Sequence, residues 1–260
     1  MFRSLQVAAT GMVAQETKLD TIANNLANAN TAGYKRQDAE FEDLLYQNLR
    51  GAAPTASGGV APTGTQVGSG ARIAATSRSF AQGSLQQTGN PFDLAIEGPG
   101  FIPVMRASGQ VAYTRAGQMK LDAGGKLVTS EGIPVEPPIT IPTDSTKVTI
   151  GSDGTVSATQ PGQATPTNLG QIQIATFPNP GGLTAVGHNL FEASASSGDA
   201  QTGAAGGDGR GTVMQGAVEG SNVEVVSEMI GLIRAQRAYE INSKVIAAAD
   251  EMLRNATQMR

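Results

Sequence analysis

Leu5, Met12, Leu19 and Leu26 stand seven residues apart, with Ala8 and Ile22 one turn further along the same face. A sustained seven-residue apolar repeat lays one stripe along a helix, as in the seam of a coiled coil. The far end repeats the device, with Val225, Leu232, Tyr239, Ile246 and Leu253 again seven apart. A second row there, including Val226, Met229, Ile230, Ile233 and Ile241, widens the apolar face beyond what one partner helix can cover. The pattern predicts helices over residues 3–30 and 222–256, roughly 42 Å and 50 Å long. Two amphipathic helices packed on an ordinary core would be the plainer reading. Their place at the two ends, with little helical periodicity between, favours pairing with each other and with neighbouring molecules.

The middle of the chain has a different period. Leu94–Ile96, Phe101–Met105, Val111–Thr114, Met119–Leu121 and Lys126–Thr129 are short apolar runs broken by Gly-containing turns. Lys147–Ile150, Thr155–Ala158 and Gln171–Phe177 continue the pattern, which predicts a mostly antiparallel β domain. Residues 47–70 are rich in Gly, Pro, Ala, Ser and Thr. They read as a linker, a disordered loop, or an extended arm that orders on a neighbour, and composition does not separate these. Ala193–Gly211 is a second Gly/Ala/Ser-rich connection. The expected class is α+β: long terminal helices paired as a coiled coil, an extended β/loop arm, and a β middle domain. Residues 1–35 with 221–260 form the helical domain, 36–90 with 205–220 an extended connecting region, and 91–204 the β-rich outer domain.

Asn24, Asn25 and Asn28 lie beside the N-terminal stripe. A polar amide next to an apolar seam fixes the register between helices at some cost in stability. Asn30 and Gly33 suit the helix end, since Gly takes left-handed φ without a Cβ clash.

Composition narrows the chemistry. The 260 residues carry a net charge of −4, so no basic field collects nucleic acid or anionic lipid. Aromatics are 4% with no Trp, which predicts a thin aliphatic core. The absence of Cys removes disulfides and thiolate metal sites. The single His188 sits in a Gly-His-Asn turn, without a nucleophile elbow to serve. Gly206–Gly211 lacks the Lys-Ser/Thr of a phosphate loop. No catalytic, cofactor or metal residue is assigned. The N-terminus shows no signal-peptide pattern, and no apolar run is long enough to span a bilayer. A carboxylate pair is set by folding rather than spacing, which leaves a secreted peptidoglycan-binding or -cutting module as the rival from another class.

Ala23-Asn24-Asn25-Leu26-Ala27-Asn28, followed by Thr31-Ala32-Gly33-Tyr34-Lys35-Arg36, resembles the N-terminal signature of the bacterial flagellar rod and hook axial proteins. Gln215–Val223 and Gln236–Lys244 resemble that family's lead into its last helix and the helix itself. Phe41–Gln47 is similar to the distal-rod branch rather than to proximal-rod or hook chains. Gly98–Phe101, Tyr113–Gly117 and Gly187–Leu190 extend the likeness through the middle, with Met119 and Pro103 as departures. The resemblance implies a structural subunit, exported without a cleaved signal by the flagellar type III apparatus and assembled helically with itself in the basal body. Its implied partners are proximal-rod proteins, a hook or hook-junction protein, and the L/P-ring bushing; nucleic acid and membrane insertion are not among them. A proximal-rod or hook role is the alternative within the family. The expected assembly seam is Leu5, Met12, Leu19, Ile22 and Leu26 against Val225, Met229, Leu232, Tyr239, Ile246 and Leu253, with Asn24, Asn25 and Asn28 setting register.

Overall fold

The computed structural model describes residues 2–50, 64–162 and 165–258. It is an α+β chain of two compact units, one of residues 1–27, 37–78 and 224–260, the other of 28–36 and 79–223.

The first unit holds both long helices, α1 (Phe2–Ala27) and α2 (Val225–Gln258), with four strands: β1 (Gln37–Asp43), β2 (Gln47–Arg50), β3 (Thr65–Val67) and β4 (Ala71–Arg78). α1 stops three residues before the expected end, at Asn28-Ala29-Asn30. Asn side chains there compete for backbone groups and favour turns over helix. β1 pairs antiparallel with β4, and β2 with β3, in one continuing hairpin with Leu44 N donating to Gly70 O between the two ladders. The stretch read as linker or arm therefore starts and ends as paired strands, while its middle, residues 51–63, lies outside the described residues. Gly70 has a φ of +112°, and a Cβ there would sit 2.1 Å from Thr10 Oγ1. Only glycine lets the hairpin lie this close on α1.

The second unit is built from β5 (Leu85–Gln87), β6 (Leu94–Glu97), β7 (Ile102–Met105), β8 (Val111–Thr114), β9 (Met119–Leu121) and β10 (Leu127–Thr129). It continues through β11 (Lys147–Ile150), β12 (Thr155–Thr159), β13 (Thr167–Gln171), β14 (Gln173–Thr176), β15 (Thr184–Gly187) and β16 (Leu190–Glu192). β17 (Gln201–Ala204), β18 (Thr212–Gln215) and β19 (Ala217–Glu219) complete it. Every ladder is antiparallel, the largest sheet running β15-β16-β8-β7. Pro103 sits on β7, the last strand of that sheet, where its carbonyl accepts from Glu136 N at 2.9 Å beside the Val104–Val135 bridge. His188 and Asn189, at φ of 55° and 56°, form the two-residue turn between β15 and β16.

Several strands were invisible to periodicity. β17, inside the expected Ala193–Gly211 connection, pairs with β14. β18 and β19 pair with β6 and β5. β17 is Gln-Thr-Gly-Ala, with no apolar alternation, so only the long-range ladder makes it a strand. The core also differs from the expected aliphatic one. Leu94, Ile102, Val104, Met119 and Leu127 do bury in an aliphatic cluster. A second cluster sets Phe80, Phe101, Tyr113, Phe177 and Phe191 edge-to-face, with centroids 4.8–6.0 Å apart. Met119 belongs to the aliphatic cluster.

A charged knot joins distant parts of this unit. Lys35 Nζ donates to Glu219 Oε1 at 2.7 Å and to Ala81 O at 2.8 Å, and Gly83 N donates to the same Oε1 at 2.8 Å. Arg115 Nε lies 3.4 Å from the other oxygen, and the Arg115 guanidinium also donates to Gly98 O. All three charged side chains are buried. Gly33, at φ +71°, donates its N–H to Glu219 O at 2.8 Å, in a place where a Cβ would be 2.5 Å from Ala116 N. Burial pushes the Lys35 ammonium below the ordinary lysine range; the Glu219 hydrogen bond opposes this and the Arg115 charge reinforces it.

Glu219→Gln leaves two buried cations without a counter-charge and should cost about 3–5 kcal/mol. Lys35→Met, which leaves Glu219 with Arg115 and Gly83, should cost less. Urea titration with hydrogen exchange at the β7–β8 ladder measures both, and equal costs would contradict this account. Between the lowered pKa of Lys35 and the ordinary lysine value the unfolded chain binds more protons. The contribution of this group to stability therefore rises with pH across that window, and Lys35→Met should flatten the rise.

Candidate assembly interface

α1 and α2 run antiparallel. Asn25 reaches Glu228, Ile22 lies against Gly231, and Gly11 lies against Asn242, so residue numbers climb on one helix as they fall on the other. The contact is close because small residues occupy it. A Cβ at Gly231 would come 3.3 Å from Ile22 Cδ1, and one at Gly11 would come 3.0 Å from Asn242 Nδ2. On α2 the row at this contact is Glu228, Ala235, Asn242 and Ala249, seven apart, of which all but half-buried Asn242 are buried.

That row lies beside the one the large apolar residues suggested. Leu232, Ile246 and Leu253 are half-buried flanks of it, while Val225, Met229 and Tyr239 are exposed. On α1, Ile22 is buried and Leu5, Met12, Leu19 and Leu26 are half-buried. Weighting the repeat by side-chain size pointed to the flanks. The legible signal was instead the spacing of Gly231, Ala235, Ala238 and Asn242, which marks a face with room for a neighbouring backbone.

The three asparagines part company. Asn25 is only 1% exposed. Its Oδ1 accepts from Gln37 N at 2.9 Å, and its Nδ2 donates to Gln37 O at 2.8 Å and Glu228 Oε2 at 3.2 Å. One amide thus ties α1, the start of β1 and the first turn of α2, where a carboxylate also meets the positive end of the helix dipole. Asn24 is exposed. Asn28 belongs to the other unit, where its Oδ1 accepts from the Thr31 hydroxyl at 3.2 Å and it borders a cleft of about 360 Å³. His188 is at the same cleft, exposed and paired with Glu131. Among the described residues no group of three or more His, Asp or Glu is placed to hold a metal, and no helix is long and apolar enough to cross a membrane.

Removing the Asn25 amide strands the Gln37 N–H and C=O and takes one donor from the Glu228 carboxylate. Asn25→Ala should cost about 1–3 kcal/mol. Asn25→Asp should cost more, because it sets a second carboxylate beside Glu228. Hydrogen exchange along α2 in the full chain reads the order of the two variants, and the reverse order would refute the assignment.

Three family models match along the chain. Residues 5–35 match the flagella basal body rod protein model, 95–158 the flagellar hook protein FlgE/F/G D1 domain, and 214–259 the flagellar basal body rod FlgEFG protein C-terminal model. The flagellar basal-body rod protein FlgG of Caulobacter vibrioides is 47% identical over 260 residues, 99% of each chain. That of Borreliella burgdorferi is 47% identical over 100% of this chain and 99% of its own. That of Bacillus subtilis is 39% identical over the whole of both. Identity of this extent over full length shows that the chain belongs to the flagellar basal-body rod protein family, as a structural subunit of the bacterial flagellar basal body.

Proposed function

We propose that the chain is a distal-rod subunit that assembles with itself into a helical shaft. Its terminal helices pair as a coiled coil and form an inner tube around the export channel. The shaft carries motor torque across the periplasm to the hook. Proximal-rod proteins and a hook or hook-junction protein are its axial neighbours, the L/P rings its bushing, and the flagellar type III apparatus its exporter. This reading assigns no catalytic role, cofactor or metal.

The observation that carries it is the uncovered side of α2. Val226, Met229, Ile230, Ile233 and Ile241 are 46–65% exposed and lie off the Glu228–Ala235–Asn242–Ala249 row that meets α1. A long apolar row of this kind marks a surface that another protein covers. Contacts between unlike surfaces that do not close produce a helical filament. The full-length likeness to FlgG rod proteins supports the distal rod over the family's proximal-rod and hook members.

Ile233→Asp tests the row without disturbing the helix pair, since Ile233 is exposed and Leu232 is not. A lone carboxylate in an apolar seam costs several kcal/mol in every copy unless neutralised. Purified Ile233→Asp protein should keep the wild-type circular dichroism. Basal bodies from cells carrying it as their only copy should lack the rod segment that this chain builds. A complete rod in those cells would overturn the reading.

A further inference from the structure

A filament whose contacts are heterologous needs two different, complementary surfaces on one chain. Two such surfaces are present in the helical unit. The first is the outer face of α2. At 100° per residue, Ile230, Arg234, Arg237, Ile241 and Lys244 fall within a sector of roughly 80°. All five are exposed, and no Asp or Glu lies among them in that sector. The second is on α1, where Ala9, Val13, Glu16 and Asp20 fall within roughly 60°. All four are exposed, Val13 to 61%, and no Lys or Arg shares their sector. A recess of about 330 Å³ opens beside Ala9 and Val13, closed on its far side by Leu44, Arg72 and Ile73 of the hairpin; the Arg72 charge is paired with Glu42, and Asp43 is exposed next to Leu44. Among the described residues, apart from Arg72 and Glu42, none of these charged side chains is in an ion pair of its own chain.

We propose that the basic, apolar outer face of α2 in one copy docks on the acid-framed face of α1 and its hairpin recess in the next copy. This rests on the helical self-assembly proposed above and names the two surfaces that meet. Arg234 and Arg237 are three residues apart and Glu16 and Asp20 four, axial spacings of roughly 4.5 and 6 Å, so the two pairs face each other without a change in either helix. Ile230 and Ile241 lie about one turn to either side of the arginines, roughly 16 Å apart along the axis; with Arg234 and Arg237 set on Glu16 and Asp20, Ile230 is the one placed to enter the recess beside Val13. The occupant is a second copy of this chain because both halves of the match, apolar and charged, are on the chain itself. Complementary charge fixes register and rejects the like-charged alternatives, α2 on α2 and α1 on α1.

Reversal and rescue test the match in cells whose only copy is the variant. Arg234→Glu with Arg237→Glu should abolish motility and rods in isolated basal bodies, and so should Glu16→Lys with Asp20→Lys. The four substitutions together should restore both. Each variant monomer should keep wild-type circular dichroism, since all four positions are exposed. The chain has no cysteine, so Val13→Cys with Ile230→Cys reports the contact directly, as a disulfide-linked ladder of copies from oxidised basal bodies. Rods unaffected by either reversal, a four-fold variant no better than its parents, or cysteines that do not cross-link in intact rods would each overturn the docking assignment while leaving self-assembly standing. A wild-type chain absent from the rod would overturn the self-assembly reading itself.

Discussion

The carboxylate of Glu219 is where the chain of the β unit is held to itself. Its two oxygens and its backbone carbonyl take contacts from Gly33, Lys35, Gly83 and Arg115, which are far apart in sequence. Asn222 extends the knot: its Oδ1 accepts from Arg36 N at 2.7 Å, and its Nδ2 donates to Ser79 O and Ala81 O. The chain leaves this unit after Arg36 and Val223 and enters it at Ser79. Glu219 and Asn222 therefore anchor residues next to each of those passages. Hydrophobic burial is non-directional and would tolerate several paths for three strands of chain. One buried carboxylate with a fixed set of donors tolerates few, because any other path leaves a charge unpaired in a dry site.

The helical unit is organised on the opposite principle. Its internal contact uses small side chains and one buried amide, Asn25, while the larger apolar residues of α2 stay outside. Burial within a single copy is therefore modest, and the exposed apolar side is the surface proposed to meet neighbouring copies. The hairpin of β1 and β4 adds a polar shoulder to α1, tied by the Glu42–Arg72 pair and by Lys18 over the Phe41 ring.

Backbone geometry binds the two levels. Gly33 and Gly70 each lie where a side chain would overlap a neighbouring segment, one at the knot and one where the hairpin meets α1. Both have positive φ, so even a small L-residue would be strained as well as crowded. Gly33 stands inside the Thr-Ala-Gly-Tyr-Lys-Arg run that carried the family resemblance, and Tyr34 and Lys35 beside it are buried. The run that identifies the chain is thus the run that threads the knot.

The sequence by itself determined the two terminal helices, the α+β class, the antiparallel middle and the family, because these depend on local period, turn residues and short motifs. Short apolar runs bounded by turn residues, such as Val111–Thr114, were legible for the same reason. Tertiary structure decided the rest. β17, β18 and β19 are strands because a distant ladder satisfies their backbone, which no window of sequence contains. Of Asn24, Asn25 and Asn28, Asn25 is the one whose amide meets both Gln37 and Glu228, a meeting that depends on where β1 and α2 lie. The helix contact moved from the large apolar row to Ala235, Asn242 and Ala249, because the closeness of two backbones is a property of the pair. Lys35, Arg115 and Glu219 read in sequence as ordinary surface charges. They became a buried knot because folding brought together residues up to 184 positions apart, and only there does each charge find its partners out of water.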